Sequence, residues 1–333
     1  MMQNRRAFLK TAALAGLSSP LILRSGAALA ANYQAYTYLT VADKPGVIGL
    51  QSIADALTKA SGDAIKIQVN LGGSLPIKAS DTTQALGDGV IKLADNQFYL
   101  GVVPIAGLLR LPMLVSDVAE YEKAYAVLKP YLKSGFSRQG VTVIGHYVYP
   151  PQVIWGVKEI RSLADLDGKK IRVTSAEQGK FVEQFGGFPI TLPSSELAPS
   201  LQRNLIDGLI TASAGGARTL GDLLKYNYRI NTSTVDSMYM VNNDFLDGLK
   251  QPEREALLAA ADKGGKQATE LLAKEEPVWT EKLQKQGITV TAADPKDVAK
   301  ATKELSGYWG EWAKQKGGKA PEALAAIRKV LGK

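Results

Sequence analysis

The chain contains no cysteine and a single histidine, His146, in 333 residues. Without cysteine there is no disulfide framework, no thiolate nucleophile and no Cys-ligated zinc or iron–sulfur site. One histidine excludes a poly-histidine metal site, and any Ser-His-Asp arrangement has only that ring to use. His146 lies between Gly145 and Tyr147 with no acid beside it in sequence, and reads as structural. The G-x-S-x-G elbow, the H-E-x-x-H pair and the Walker A sequence are missing as well. No catalytic residue, metal ligand or cofactor is therefore nominated. Charge is nearly balanced, with 40 Lys+Arg against 32 Asp+Glu, and no basic stripe interleaves with aromatics, so nucleic acid is not an expected partner. The longest apolar run, Thr11–Leu23, is about thirteen residues, short of the roughly 18–20 that span a bilayer.

That run has a recognisable setting. Asn4-Arg5-Arg6-Ala7-Phe8-Leu9-Lys10 precedes it and Ala28-Leu29-Ala30 follows, giving a charged region, an apolar region and an A-x-A cleavage signal in order. Residues 1–30 thus read as an export leader, and the adjacent arginines followed by Phe-Leu-Lys fit the twin-arginine route to the periplasm. Its removal takes away Arg5, Arg6, Lys10 and Arg24 and no acid, lowering the formal net charge from +8 to +4.

The remainder is 45% hydrophobic over the whole chain, enough for a sizeable core and about two domains. Helix and strand patterns alternate. A strand near Tyr36–Val41 is followed by a helical stripe, Leu50, Ile53, Ala54 and Leu57, closed by Gly62. Ile65, Ile67 and Val69 then alternate with polar residues as a strand does. A helix across Ala79–Leu86 leads through Asp88-Gly89 to an apolar strand, Val90–Ala94. The cadence returns with a strand at Lys169–Val173, a helix at Glu177–Phe185, a strand at Pro189–Leu192, and a helix from Ser194-Ser195-Glu196 to Leu205. Asp207-Gly208 enters the strand Leu209–Ala212, and the stretch Gln84–Ala94 matches Gln202–Ala212 in its helix end, Asp-Gly turn and strand. This predicts an α/β fold of two similar lobes. The paired prolines of Tyr149-Pro150-Pro151 mark the boundary, and Gln251–Gly287 forms helix long enough to run along both lobes, with breaks expected at Gly264-Gly265 and Pro277. The expected division is 31–149 with about 235–275 for lobe 1, 150–234 with about 276–320 for lobe 2, and a basic tail at 321–333.

Open α/β sheets present ligands at the carboxyl ends of their strands, and two facing lobes make a closable cleft. Candidates at such ends are Asp95, Asn96, Gln97, Phe98 and Tyr99 in the first lobe, and Gln152, Trp155, Arg172, Thr211 and Ser213 in the second. Arg172 stands out, since its planar fork can hold a carboxylate through two parallel charge-assisted hydrogen bonds.

These residues lie within a longer pattern. Asp165-Leu166-Asp167-Gly168-Lys169-Lys170-Ile171-Arg172-Val173, Gly187-Phe188-Pro189-Ile190, Ser195-Glu196-Leu197, Leu201-Gln202 and Ile206-Asp207-Gly208 resemble the signature of solute-binding proteins of tripartite ATP-independent periplasmic (TRAP) transporters. Gly72-Gly73-Ser74-Leu75, Gly87-Asp88-Gly89-Val90 and Leu109-Arg110-Leu111-Pro112-Met113-Leu114 extend the resemblance over nearly all of the chain past the leader. The resemblance implies a two-lobed periplasmic-binding-protein-like fold that captures an organic acid and hands it to membrane subunits. It implies that Arg172 clamps the ligand carboxylate, with Asp95, Asn96, Gln97, Phe98, Gln152 and Thr211 in support. Sialic-acid-binding members carry a second arginine where Gln152 stands and an asparagine near Thr211. The neutral Gln152 and Thr211, with Phe98, Tyr99 and Trp155, point instead to a monocarboxylate with an apolar or aromatic body. A monomer and a homodimer both stay open, as do a periplasmic enzyme and a sensor-coupled receptor on the same scaffold.

Overall fold

The computed structural model describes residues 30–192, 196–213 and 220–333. The first part of the chain runs through β1 (Ala31–Thr37), α1 (Pro45–Ala60), β2 (Ile65–Asn70), α2 (Thr82–Gly87), β3 (Leu93–Asn96), α3 (Val118–Ser137) and β4 (Val141–Val148). It continues through β5 (Gln152–Gly156), β6 (Lys170–Val173), α4 (Ala176–Gln184), β7 (Phe188–Thr191), α5 (Leu197–Gln202), β8 (Gly208–Ala212) and β9 (Tyr226–Ser233). The last part comprises β10 (Asp236–Asn242), α6 (Asn243–Gly248), α7 (Gln251–Lys285), β11 (Thr289–Ala292), α8 (Pro295–Lys316) and α9 (Ala320–Leu331).

Two sheets result. The first has the order β2-β1-β3-β10-β4, with β1 parallel to β2 and β3, and β10 antiparallel to β3 and β4. The second has the order β11-β9-β5-β8-β6-β7, parallel except where β5 opposes β8 and β9. The chain crosses between them at Tyr149–Pro151, again between Ser233 and Asp236, and a third time along α7. The first sheet thus takes β10 from beyond β9, the second takes β11 after the chain has returned through the first, and the architecture is a two-lobed α/β one.

β4 ends at Val148 and β5 starts at Gln152, which is in register with Ala212 at the end of β8. The carboxyl ends of β1 and β3 in one sheet, and of β6 and β8 in the other, therefore face a common seam at the linkers. Away from that seam one hydrophobic core is shared by both lobes. It runs from Tyr99, Leu108 and Phe136 to Ile154, Phe181 and Tyr228 by way of Trp309 and Trp312 on α8. Trp309 donates its indole N–H to the Pro112 carbonyl and Trp312 to Glu177, one contact toward each lobe.

Local patterns explain most elements. In α1, Pro45 occupies the first turn and Leu50, Ile53, Ala54 and Leu57 form the buried stripe. Other elements depart from the sequence reading. β3 begins at Leu93 rather than Val90, whose side chain is exposed. The helix α3, with Tyr121, Ala124, Leu128, Leu132 and Phe136 buried, was not anticipated. α7 passes Gly264, Gly265 and Pro277 as one helix of 35 residues. Its glycines serve close approach instead: a Cβ on Gly265 would lie 2.1 Å from the His146 carbonyl oxygen on β4. His146 itself meets an acid from another element, Glu122 at 2.9 Å.

The basic tail is also corrected. Residues 320–331 form the helix α9, which buries Ala320, Ala323, Leu324 and Ile327 against the first lobe. Apolar residues at i, i+3, i+4 and i+7 outweigh the exposed Arg328 and Lys329. Lys333 then bonds the Leu114 carbonyl, Ser116 and Glu120. The expected leader up to Leu29 and the capping residues Ser194 and Ser195 lie outside the described residues.

Candidate functional site

On the second-lobe side of the seam, β6 carries Arg172 between β7 and β8, in register with Ile190 and Leu209. The residue is only 5% exposed, and its Nε donates to the Leu192 carbonyl oxygen at 3.0 Å. Among the described residues no carboxylate pairs with it, and the remaining segments contain no Asp or Glu. Burial accordingly lowers its pKa with nothing anionic to offset the effect. The strand turns at once into α4, where Ser175 accepts from the Gln178 N–H, and the Gln178 side chain accepts from Thr174. The N-terminus of α4 adds its partial positive charge to the same corner.

Thr211, half-buried on β8, is two residues beyond Leu209 and shares the Arg172 face of the sheet. Trp155, opposite Leu209, is on that face too, but it is fully buried in a cluster with Val153, Leu201 and Leu283, and its indole donates to the Ala212 carbonyl. It is a core residue and does not face the seam. Gln152 alternates to the other face, is 7% exposed, and donates to the Pro150 carbonyl.

On the first-lobe side the register brings Thr37, Asp95 and Tyr239 to one rung, with Ser237 and Tyr147 paired on the same face. Asp95 is fully buried and accepts from Thr37 at 2.8 Å, from Ser237 at 2.5 Å and from the Tyr147 hydroxyl at 3.1 Å from both carboxyl oxygens. Burial pushes its pKa up to about 6, against the lowering effect of the Ser237, Thr37 and Tyr147 hydroxyls. Tyr147 is 3.2 Å from the Tyr149 hydroxyl, which bonds the hydroxyl of Tyr38. Gly46 makes room for this chain, since a Cβ there would lie 2.2 Å from the Tyr147 oxygen. Asn96 is turned inward, donating to Thr83 and accepting from the Phe98 N–H. The side chains of Asp95 and Asn96 are thus engaged within the lobe and do not project into the seam. Phe98 is 47% exposed and meets the Tyr38 ring edge-on at 5.3 Å.

A second network braces this end. Arg110 donates to the Asp236 side chain, to its carbonyl and to the carbonyl of Gln97, holding the half-buried Gln97 at the end of β3. Tyr99 and Tyr121 donate to the same carboxylate. At the linkers a hollow of about 220 Å³ is lined by Val148, Tyr149, Pro150, Asn231, Thr234 and Ala273. Arg229 on β9 pairs with Glu276 on α7, which also accepts from Ser213 just past β8.

Sequence reading did not single out Tyr38, Tyr147 and Tyr149. The alternating tyrosines Tyr36-x-Tyr38 and Tyr147-x-Tyr149 at two strand ends were the available signal. Among the described residues no cluster of three or more His, Asp or Glu is arranged to hold a metal, and no helix is long and apolar enough to cross a membrane.

Comparisons with known proteins give the chain's family and fold relatives. The chain is 21% identical to the 2,3-diketo-L-gulonate-binding periplasmic protein YiaO of Escherichia coli (strain K12), over 80% of this chain and 83% of that protein. Its fold superposes with a TM-score of 0.80 on DctP7, a Bordetella pertussis extracytoplasmic solute receptor binding pyroglutamic acid, at 22% identity, covering 90% of this chain and all of the other. A TRAP periplasmic solute-binding protein from Sulfitobacter with bound β-D-galacturonate gives 0.79 at 17% identity, covering 90% of this chain and 100% of the other. Residues 37–316 match the family model DctP, and on that span the chain belongs to the bacterial extracellular solute-binding proteins of family 7.

Proposed function

We propose that this solute-binding protein captures an organic acid between its two lobes and passes it to TRAP membrane subunits, with Arg172 as the carboxylate clamp. The observation that carries this reading is a nearly buried guanidinium, fixed by a backbone carbonyl and lacking any acidic partner, at the carboxyl end of a strand facing the seam. A buried unpaired cation is costly, and an incoming carboxylate relieves that cost in a partly dried cleft where the pair is stronger than in water. Closure is favoured only through contacts absent from the open form. Pyroglutamate and galacturonate, the ligands named for two of the similar proteins, each carry one carboxylate.

Gln97, Phe98, Gln152 and Thr211 are the supporting side chains nearest the seam, and all are neutral, which favours a monocarboxylate over a dicarboxylate. The lobes are taken as 31–149 with about 235–275 and 150–234 with about 276–320, with α9 added to the first. Residues 1–30 act as a twin-arginine leader, so that the receptor works in the periplasm and performs no chemistry on its cargo.

A thermal-shift screen of the purified protein against organic acids, followed by mass spectrometry of whatever co-purifies, tests the reading. One carboxylate is expected to raise Tm strongly and to be recovered unaltered. A panel in which no carboxylate binds, or a cargo recovered chemically changed, overturns it.

A further inference from the structure

The three phenols at the first-lobe side of the seam form a chain with a fixed direction. Its links are Tyr38 to Tyr149, Tyr149 to Tyr147, and Tyr147 to the Asp95 carboxylate. An ionised carboxylate only accepts, so the last link uses the Tyr147 proton. The Tyr147 oxygen then accepts, and the middle link uses the Tyr149 proton. By the same step the outer link uses the Tyr38 proton. Burial is the first cause that raises the pKa of all three phenols, with the charge of Asp95 adding to it, so each keeps its proton. Three protons are committed to three inward links, and none is left to point outward.

The outer end of the chain is at the seam. Tyr38 follows the carboxyl end of β1, and Tyr149 follows that of β4 in the first linker. Both are half-buried, and the exposed ring of Phe98 stands edge-on to Tyr38.

We infer that the first-lobe wall of the cleft offers hydroxyl oxygens as acceptors only, so the ligand is a monocarboxylate bearing an O–H or N–H donor away from its carboxyl group. The inference rests on the carboxylate reading of Arg172 and goes beyond it by specifying the other end of the ligand. A ketone, ether or second carboxylate at that end meets lone pair against lone pair, whereas a hydroxyl, amine or lactam N–H completes the chain. Asp95 acts as a positioning residue: it fixes the polarity of three hydroxyls without touching the ligand.

Calorimetric titration of the purified protein with matched probes tests this. The pairs are pyroglutamate against N-methylpyroglutamate, and 4-hydroxyphenylacetate against 4-methoxyphenylacetate. The wild type is expected to favour the donor-bearing member of each pair by tenfold or more. The double variant Tyr38→Phe, Tyr149→Phe is expected to weaken that member about tenfold and leave the methylated one unchanged, which separates a lost acceptor from a steric effect of the methyl group. Asp95→Asn, which frees the chain to reverse, is expected to narrow the same ratio. Tighter binding of the methylated members by the wild type, or equal losses of both members in the double variant, overturns the inference. Unchanged binding of both members by Arg172→Ala is a different failure, that of the carboxylate reading.

Discussion

Among the described residues Arg172 is held by Leu192 and by no acid: its Nε donates to that carbonyl oxygen at 3.0 Å, and only 5% of the residue's surface remains accessible. A backbone carbonyl fixes the plane of the guanidinium without neutralising it. The charge stays without an acidic partner among the described residues.

Arg172→Ala is therefore expected to separate binding from stability. Loss of the clamp leaves a carboxylate unpaired in the cleft and costs about 2–5 kcal/mol of affinity, a factor of ~30 to several thousand in Kd. The ligand-free protein, relieved of an unpaired buried charge, should melt within about 2 °C of the wild type. Titration calorimetry and thermal melts of the two proteins check both halves.

Asp95 predicts a pH dependence of definite sign. Its carboxyl titrates at about 6 in the folded protein against 3.8 ordinarily, so the folded state binds the proton more tightly than the unfolded one. The contribution of this group to stability is greatest below about pH 4, falls as pH rises to about 6, and is flat above. The difference corresponds to roughly 3 kcal/mol. Denaturant midpoints of wild type and Asp95→Asn between pH 4 and 7 should converge at the acid end and diverge toward neutrality, with Asp95→Asn the more stable there.

Asp236 makes the opposite case, a buried acid fully compensated by Arg110, Tyr99 and Tyr121. Removing it strands a guanidinium behind the Gln97 carbonyl, and Asp236→Ala is expected to destabilise by about 3–5 kcal/mol. Asp236→Asn, which keeps an acceptor for one tyrosine, should cost less. Urea unfolding of the two variants gives the ordering.

The C-terminal helix can be tested independently of the ligand. Ile327 is fully buried against the first lobe, and Ile327→Ala is expected to cost about 2–5 kcal/mol. A solvated tail at this position predicts no change in the unfolding midpoint, whereas the packed helix predicts a clear fall.

Arg172 was legible in the sequence because a short strand written Lys-Ile-Arg-Val at a turn carries its own geometry and lies in a recognisable motif. The tyrosine chain was not, because Tyr38 and Tyr149 are separated by 111 positions and meet only through the order β1-β3-β10-β4. Trp155 shows the converse. Its place in the strand entering the second lobe suggests the cleft, but the register sets it opposite Leu209, where α5 and the end of α7 cover it. In α7, Gly264-Gly265 reads as a break on local propensity alone, which carries no trace of the neighbouring strand that needs the space. The helix α9 was hidden by its basic residues, which occupy its exposed face.

The core shared through Trp309 and Trp312 sets the kinematics of the receptor. Two bodies that share a close-packed interior cannot draw apart; they can only swing about it, as covers about a filled spine. Displacement then grows with distance from that spine. Parts of the second lobe far from that spine would sweep the wider arc, and Tyr149, on the linker between β4 and β5, would move least. On the proposed reading, the first-lobe end of the seam is in effect a fixed anvil toward which Arg172 is carried.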